Sequence, residues 1–223
     1  MVQTDRDSKE KRAYFPDGAL KEKKIVREGK LDGEYFSYYR SGQILAQVNF
    51  SGGKKNGAAV IYYHDGRVRE KANYVNGRMN GEYMSYFENG SIREHEYYKN
   101  GRLDGEYRIY YKTGQLKEQE NYKNGKFEGE YVCYYNNGQI KERGYFKNDK
   151  REGEYSAYFK SGQIKEKATF KNGNYVGEFL VFAETGAGTQ DMDSEENGSS
   201  RIWEEKDVAN LLEELKHFDE RKK

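Results

Sequence analysis

The feature that most constrains this chain is a set of glycines that recur at a constant step of 24 residues. Two long series run in phase with each other, and a third is interrupted once, at Asp149. The first series is Gly33, Gly57, Gly81, Gly105, Gly129, Gly153 and Gly177, the second is Gly18, Gly42, Gly66, Gly90, Gly114, Gly138, Gly162 and Gly186, and the third is Gly53, Gly77, Gly101, Gly125 and Gly173. Such periodicity predicts a repeat protein in which each repeat contacts its neighbours in sequence.

Each repeat has the pattern of a β-hairpin. In the middle of the chain, segments 105–111 and 116–123 have the usual length of strands, and turn-forming residues separate them. Pairs such as Asn124-Gly125 supply the positive φ that tight hairpin turns require. No segment before residue 200 has the spacing of an amphipathic helix. The sequence therefore predicts an all-β fold, an elongated single-layer antiparallel β-hairpin solenoid.

The 22 tyrosines fall largely into columns at the repeat step. Because side chains alternate between the faces of a strand, two of these columns point to opposite faces. Tyrosine combines an apolar ring with a hydroxyl, which suits recognition of a protein or peptide. The alternative is that the rings only stack on one another. The candidate partner-binding residues are Tyr86, Tyr110, Tyr134 and Tyr158 on one face, with Tyr107 and Tyr131 on the other.

Two charged columns accompany the aromatic ones. A glutamate column shares the parity of an aliphatic column, so we expect it to point toward the packed side and to accept hydrogen bonds from turn amides or neighbouring tyrosines. A ligand-binding row of carboxylates is the alternative. A basic column lies one position earlier, and alternation predicts that it occupies the opposite face. The columns are Glu70, Glu94, Glu118, Glu142 and Glu166, and Arg69, Arg93, Lys117, Lys141 and Lys165.

The ends of the chain differ from the repeats. Residues 1–13 are charged and predict a frayed N-terminus, and residues 14–186 form the repeat array. Residues 187–201 are small and acidic, typical of a flexible linker. Residues 202–222 predict an amphipathic C-terminal helix. Its apolar stripe consists of Val208, Leu211, Leu212, Leu215 and Phe218.

This helix must bury its apolar stripe. It can cap the open edge or the concave face of the sheet, or it can bind a partner on a tether. The abrupt change of composition also fits a foreign peptide fused to the array. The sequence leaves these three alternatives open.

Residues that carry chemistry are scarce. His64, His95 and His217 have no metal-ligand spacing, and the glycines lack the ending of a phosphate-binding loop. Cys133 stands at a small or apolar position of its column and is expected to be buried. We therefore expect no enzyme activity, no cofactor and no metal.

The charge and the termini give expectations about partners and location. A net charge of +1 offers no electrostatic attraction to nucleic acid. No signal peptide or transmembrane stretch is recognisable, so we expect a cytoplasmic location. The oligomeric state does not follow from the sequence.

The motif Gly-Glu-Tyr-x-x-Tyr-Tyr-x-x-Gly-Gln-Ile-Lys-Glu at 129–142 resembles the bacterial variant of the MORN repeat, the membrane occupation and recognition nexus. The resemblance covers residues 14–186, with departures at Gly57-Ala58-Ala59, at Asp149 and in the last repeat. It implies an elongated, twisted single-layer sheet with a groove that associates with proteins or lipid headgroups. Some bacterial relatives are labelled antitoxins or immunity proteins.

These observations favour a non-catalytic scaffold that binds a protein or peptide through a tyrosine-rich surface. A peripheral module that binds membranes through phospholipid headgroups is the main alternative, although the nearly neutral charge argues against it. An antitoxin or immunity-type protein that neutralises its partner is a further alternative, implied by the resemblance alone.

Overall fold

The computed structural model describes residues 8–184 and the backbone of residues 201–202. Within these residues the chain forms β-strands and no helix, and so no helix there could cross a membrane. The chain divides into two compact units between Lys126 and Phe127. The prediction of an all-β repeat fold is confirmed.

The first unit contains ten strands, each antiparallel to the next one in the chain. They are β1 (Ser8–Tyr14), β2 (Leu20–Arg27), β3 (Lys30–Tyr38), β4 (Ile44–Ser51), β5 (Lys54–Tyr62), β6 (Val68–Val75), β7 (Arg78–Tyr86), β8 (Ile92–Lys99), β9 (Arg102–Tyr110) and β10 (Leu116–Lys123). The short strand β11 (Lys126–Phe127) lies at the boundary between the units.

The second unit continues the same alternation of hairpin strands. Its strands are β12 (Gly129–Tyr134), β13 (Ile140–Lys147), β14 (Lys150–Arg151), β15 (Gly153–Tyr158), β16 (Ile164–Lys171), β17 (Asn174–Val181) and β18 (Arg201–Ile202). Strand β18 is antiparallel to β17, with Ile202 opposite Leu180. The sequence predicted that Ile202 begins a helix, but Ile202 belongs to this strand. The remaining helix prediction, 203–222, lies outside the described residues.

The prediction of a frayed N-terminus is wrong for residues 8–13. These residues belong to β1, which pairs along its whole length with β2, from Ser8 opposite Arg27 to Tyr14 opposite Leu20. The segment carries few apolar side chains, so its hydrophobic pattern is weak. Backbone hydrogen bonds to β2 hold it, and those bonds do not depend on side-chain type.

The tight turns of the Asn-Gly type follow the conformational preferences of their residues. Asn76 and Gly77 have φ of 51° and 82°, which gives the mirror-image turn that suits the twist of a hairpin. Asp149 replaces glycine in this series and adopts φ of 66°. Its carboxylate accepts a hydrogen bond of 2.8 Å from the amide of Phe127 in β11. Aspartate is among the residues that tolerate this backbone region.

A glycine-centred irregularity interrupts the first strand of each repeat. Gly105 has φ of +134°, and a Cβ atom there would lie 3.0 Å from the Cβ of Tyr97. This position therefore requires glycine for both backbone conformation and space. Positive φ recurs at every glycine of the series that begins at Gly33. The restriction of space does not recur throughout, because a Cβ at Gly153 or Gly177 would meet nothing within 4 Å.

A second irregularity lies at the start of the second strand of each repeat. It changes the direction in which the side chains of the basic column point. The register of β6 shifts between Val68 and Glu70, so that Arg69 lies in a bulge. Arg69 Nε consequently reaches Glu70 Oε1 at 3.0 Å. Lys165 Nζ likewise lies 2.8 Å from Glu166 Oε1. The basic column does not simply occupy the opposite face, because a bulge redirects side chains that strict alternation would separate.

Hydrogen bonds join each hairpin to the next at both rims. At one rim, the Gly77 amide donates to the Lys55 carbonyl at 2.8 Å and the Asn76 amide to Asn56 Oδ1 at 3.2 Å. At the other rim, the Tyr63 hydroxyl donates to the carbonyl of Tyr86, 23 residues further along. Tyr39 and Tyr135 repeat this bond at 2.8 Å. Successive repeats are thus fixed in register.

The inner face is the face of the sheet that carries most of the buried side chains. In the second unit, aromatic rings on this face pack around Tyr131. Its ring meets those of Phe127 and Phe146 edge-on, with centroids 6.0 and 6.1 Å away. The two phenylalanine rings stack on each other at 4.0 Å. The Arg151 guanidinium lies 4.9 Å from the ring centroid of Tyr155, a cation–π contact in a buried position. Aromatic packing is the main apolar contact of this face.

Removing the rim hydroxyl of Tyr63 tests the coupling between repeats. The substitution Tyr63→Phe keeps the ring and deletes the bond to the Tyr86 carbonyl, so we expect the free energy of unfolding in urea to fall by about 1 kcal/mol. The matched control is Tyr145→Phe, whose ring is 52% exposed, and whose effect should stay within roughly 0.5 kcal/mol. Equal stability of the two variants would contradict a structural role for this bond.

Candidate functional site

The face opposite the inner one, called the outer face here, carries regular rows of side chains in the first unit. Directly opposed residues on β4 to β10 form one row, the mixed row, which crosses the strands. The mixed row consists of Gln47, Val60, Lys71, Met84, His95, Arg108 and Gln119. Two residues earlier on alternate strands, Glu34, Glu82 and Glu106 form the carboxylate row.

The two rows contact each other through hydrogen bonds and ion pairs. Arg108 Nη2 lies 2.6 Å from Glu106 Oε2, and Gln119 Nε2 donates to Glu106 Oε1 at 3.3 Å. The Tyr97 hydroxyl donates to Glu82 Oε1 at 3.1 Å. The Glu82 side chain nevertheless remains 55% exposed. The carboxylate row is therefore held in place and still accessible.

Aromatic rings lie along the other side of the mixed row. Tyr62, Tyr86 and Tyr110, which end β5, β7 and β9, form the aromatic row, and all three are half-buried. The Tyr86 hydroxyl donates to Met84 Sδ at 3.4 Å, and Lys71 Nζ lies 5.9 Å from the centroid of the Tyr86 ring. The outer face of the first unit thus offers apolar, basic and acidic groups in parallel.

His95 occupies the centre of the mixed row. Its Nε2 atom is buried and has no hydrogen-bond partner among the described residues. The nearest carboxylate oxygen, Glu82 Oε1, is 3.7 Å away. The ring packs against Tyr97 with centroids 4.9 Å apart. His95 thus contributes packing here, and no metal site of three or more ligating side chains occurs among the residues that the structure describes.

The inner face of the first unit contains a group of tyrosines and glutamates. Glu96 is 8% exposed and Glu120 is fully buried, and each accepts a hydrogen bond from the tyrosine two residues later, at 2.6 and 2.7 Å. Burial raises the pKa of Glu96, and the nearby Glu94 raises it further. Burial, together with the neighbouring glutamates, also raises the pKa of Tyr83 to about 12. These tyrosines and glutamates form a hydrogen-bonded network on a buried face.

The glutamate column was predicted to accept hydrogen bonds from tyrosines, and Glu142 does so. Its two oxygens accept from the hydroxyls of Tyr131 at 3.4 Å and Tyr155 at 3.1 Å. Tyr155 belongs to the following repeat. The Tyr35 hydroxyl bonds to Glu22 in the same way at 3.2 Å. These carboxylates therefore link neighbouring repeats, and this structural use accounts for their burial.

The outer face of the second unit contains a shallow depression of about 300 Å³. Its floor follows a row of directly opposed residues, Arg143, Ser156, Lys167 and Leu180, which crosses β13, β15, β16 and β17. Tyr158 and Ile164 line one side of it, and Glu154, Thr169 and Glu178 line the other. The depression is therefore apolar on one side and acidic on the other, with two exposed cations between them.

The structure separates the predicted site residues into three groups. Tyr86 and Tyr110 lie on the outer face of the first unit, and Tyr134 and Tyr158 on the outer face of the second, as half-buried rings. Tyr107 is half-buried on the inner face, where its pKa is raised by burial and by neighbouring glutamates. The third group, the apolar residues of the C-terminal helix prediction, lies outside the described residues.

Tyr131 does not belong to a partner-binding surface. Its exposure is 0%, because Phe127 and Phe146 enclose the ring and Glu142 holds the hydroxyl. The sequence predicted Tyr131 as a partner-binding residue on the same face as Tyr107, which is half-buried. The residues that neighbour each column differ between repeats, and these neighbours decide which tyrosines are covered.

The carboxylate row and the flanking cations were not predicted as part of the site. The glutamate of each Gly-Glu-Tyr motif recurs at the repeat step, so the carboxylate row was visible in the sequence. The mixed row was not, because its residue types vary and its alignment depends on the register of seven strands.

Replacing a buried carboxyl tests the inner network. Because the pKa of Glu96 is raised in the folded state, its contribution to stability is present below the unfolded pKa and is lost as the pH rises through the folded pKa. We expect Glu96→Gln to be more stable than the parent at pH 7 and the difference to vanish toward pH 4, as measured by thermal unfolding. Glu88→Gln, in an exposed turn, should show no such gain. A less stable Gln variant at pH 7 would contradict this account.

Comparison with known proteins adds two findings. No curated protein matches the sequence. Among solved structures, the chain is similar to part of one described as the crystal structure of TcdB2-TccC3-TEV, with 12% sequence identity and a TM-score of 0.21. The match covers 79% of this chain and 13% of that chain, so this chain spans a small part of its length.

A family profile gives the clearest result. The profile of the MORN repeat variant matches six consecutive segments, which together make up more than half of the chain. They are residues 31–51, 55–76, 79–100, 103–124, 127–148 and 151–172. Each match begins in the first strand of a hairpin and ends at or next to the following tight turn. This chain belongs to the family of MORN repeat variants.

Proposed function

We propose that this protein is a non-catalytic scaffold that binds a protein partner through the outer face of its first unit. MORN repeats are modules generally involved in protein or membrane binding. The observation that carries the proposal is the parallel arrangement of the aromatic row, the mixed row and the carboxylate row on one face. Half-buried tyrosines next to fixed charges are the composition of a surface that recognises proteins.

The spacing of the rows favours a helical partner. The aromatic row repeats every second strand, from Tyr62 to Tyr86 to Tyr110, a distance of about 9.6 Å. Two turns of an α-helix, seven residues, advance about 10.5 Å and return a side chain to the same face. Three residues of an extended peptide also span roughly 10 Å, but an odd number of residues points the side chain to the opposite face.

The charges specify the partner further. Lys71 and Arg108 favour acidic side chains along the middle of the helix face that contacts the sheet, and Glu82 and Glu106 favour basic side chains along one edge of it. The aromatic row would contact apolar residues along the opposite edge of this helix face. We therefore propose as the partner a helix with seven-residue spacing whose contacting face carries an apolar row, an acidic row and a basic row in that order.

Capture of partners from the native host tests this surface. We expect the double substitution Tyr86→Ala and Tyr110→Ala to lose proteins that the parent retains, because truncating interface tyrosines commonly costs more than about 1 kcal/mol each. The matched control is Tyr14→Ala with Tyr145→Ala, which removes two rings that are 56% and 52% exposed. Mass spectrometry identifies the retained proteins, and circular dichroism verifies that all variants fold.

The charge arm of the same experiment uses single substitutions. Lys71→Glu should weaken binding of the captured partner by about tenfold, the effect of roughly 1.4 kcal/mol. Lys99→Glu reverses an exposed charge outside the rows and should leave binding unchanged. Identical sets of retained proteins for the two tyrosine double variants would overturn the proposal.

Sedimentation with vesicles distinguishes the membrane alternative. The first unit interleaves basic and acidic groups on its outer face, which gives little attraction to anionic headgroups. We expect the protein to remain in the supernatant with phosphatidylserine-containing vesicles at physiological salt. If the protein sediments with the vesicles and Lys71→Glu abolishes this sedimentation, the outer face of the first unit binds lipid headgroups instead of a protein.

A further inference from the structure

We propose that the segment 203–222 of this chain docks into the depression on the outer face of the second unit. This inference concerns a different surface from the proposed function and does not depend on it. Three observations support it: the position at which the chain leaves β18, the length of the apolar stripe that follows, and the charges of the segment and of the depression.

Strand β18 brings the chain to the edge of the depression. Ile202 lies opposite Leu180 in the ladder with β17, and Leu180 lines the depression. The strands are antiparallel, so the chain leaves Ile202 in the direction of Phe179. Residues 203–207 can span at most about 17 Å before the first apolar residue, Val208. The segment that follows therefore has the depression within reach.

The apolar stripe and the depression have the same length. In a helix, the stripe from Val208 to Phe218 extends about 15 Å. The floor of the depression crosses four adjacent strands, from β17 to β13, which span three strand spacings or about 14 Å. Tyr158, Ile164 and Leu180 offer half-buried apolar surface along this path. A helix laid across the strands would cover all three.

The charges of the segment complement those of the depression. At 100° per residue, Asp207 and Glu214 lie on one side of the apolar stripe and Lys216 on the other. The depression presents Arg143 and Lys167 along its floor and Glu154 and Glu178 on one side. With the apolar stripe on the side lined by Tyr158 and Ile164, docking would place the acidic flank over the two cations, and Lys216 would lie on the side that faces away from the depression. The apolar match supplies most of the affinity, and the charges set the orientation.

Hydrogen exchange in the full-length protein tests this docking. We expect the amides of 203–222 to exchange slowly in the parent and about tenfold faster or more in Lys167→Glu, because the new carboxylate repels the acidic flank. The matched control is Lys171→Glu, which reverses another exposed lysine on the same face of β16, four residues away. The control should retain the protection of the parent.

A second pair of variants approaches the contact from the segment. Leu211→Glu with Leu215→Glu places two charges in the stripe and should abolish protection, whereas Asn210→Glu with His217→Glu adds them to the opposite side and should preserve it. Absence of protection in the parent, or equal protection in Lys167→Glu and Lys171→Glu, would overturn the proposal. Protection that appears only as concentration rises, together with a dimeric mass, would also overturn it and assign the depression to a second copy.

Discussion

The structure depends on the fixed register between successive hairpins. A two-stranded hairpin has marginal stability in water, and three or more strands with an apolar face are needed for independent folding. The rim hydrogen bonds, such as the one from Tyr63 to the Tyr86 carbonyl, join each hairpin to the next. The bonds from Tyr131 and Tyr155 to Glu142 add a link through the inner face. Each link contributes roughly 1 kcal/mol, so stability builds up along the repeats.

A fixed register also creates the functional surfaces. Side chains on successive strands come into line only when each strand keeps its partner, as Lys71, Met84, His95 and Arg108 do in the mixed row. The inner face is used for packing and buries tyrosines and glutamates together. The outer face retains half-buried rings and accessible charges. Because the inner face is used for packing, binding is proposed for the outer face alone.

The sequence predicted the hairpins well because their signals are local. Asn76-Gly77 and its equivalents specify tight turns, and the tyrosine columns specify alternating faces. Contacts between elements that are distant in the sequence were harder to predict. The bulge that turns Arg69 toward Glu70, the enclosure of Tyr131 and the pairing of β1 all depend on neighbours that lie elsewhere in the sequence. The depression in the second unit depends on four strands in register and has no sequence signature of its own.

The most direct test of the fixed register is the stability of two deletion variants. Removal of residues 79–102 takes out one whole repeat of 24 residues and joins equivalent positions. Removal of residues 79–90 takes out half a repeat and misaligns every later rim contact. With a fixed register, we expect the whole-repeat variant to keep a β-sheet spectrum and cooperative urea unfolding with a smaller slope, and the half-repeat variant to lose cooperative unfolding. Equal behaviour of the two variants would contradict the fixed register.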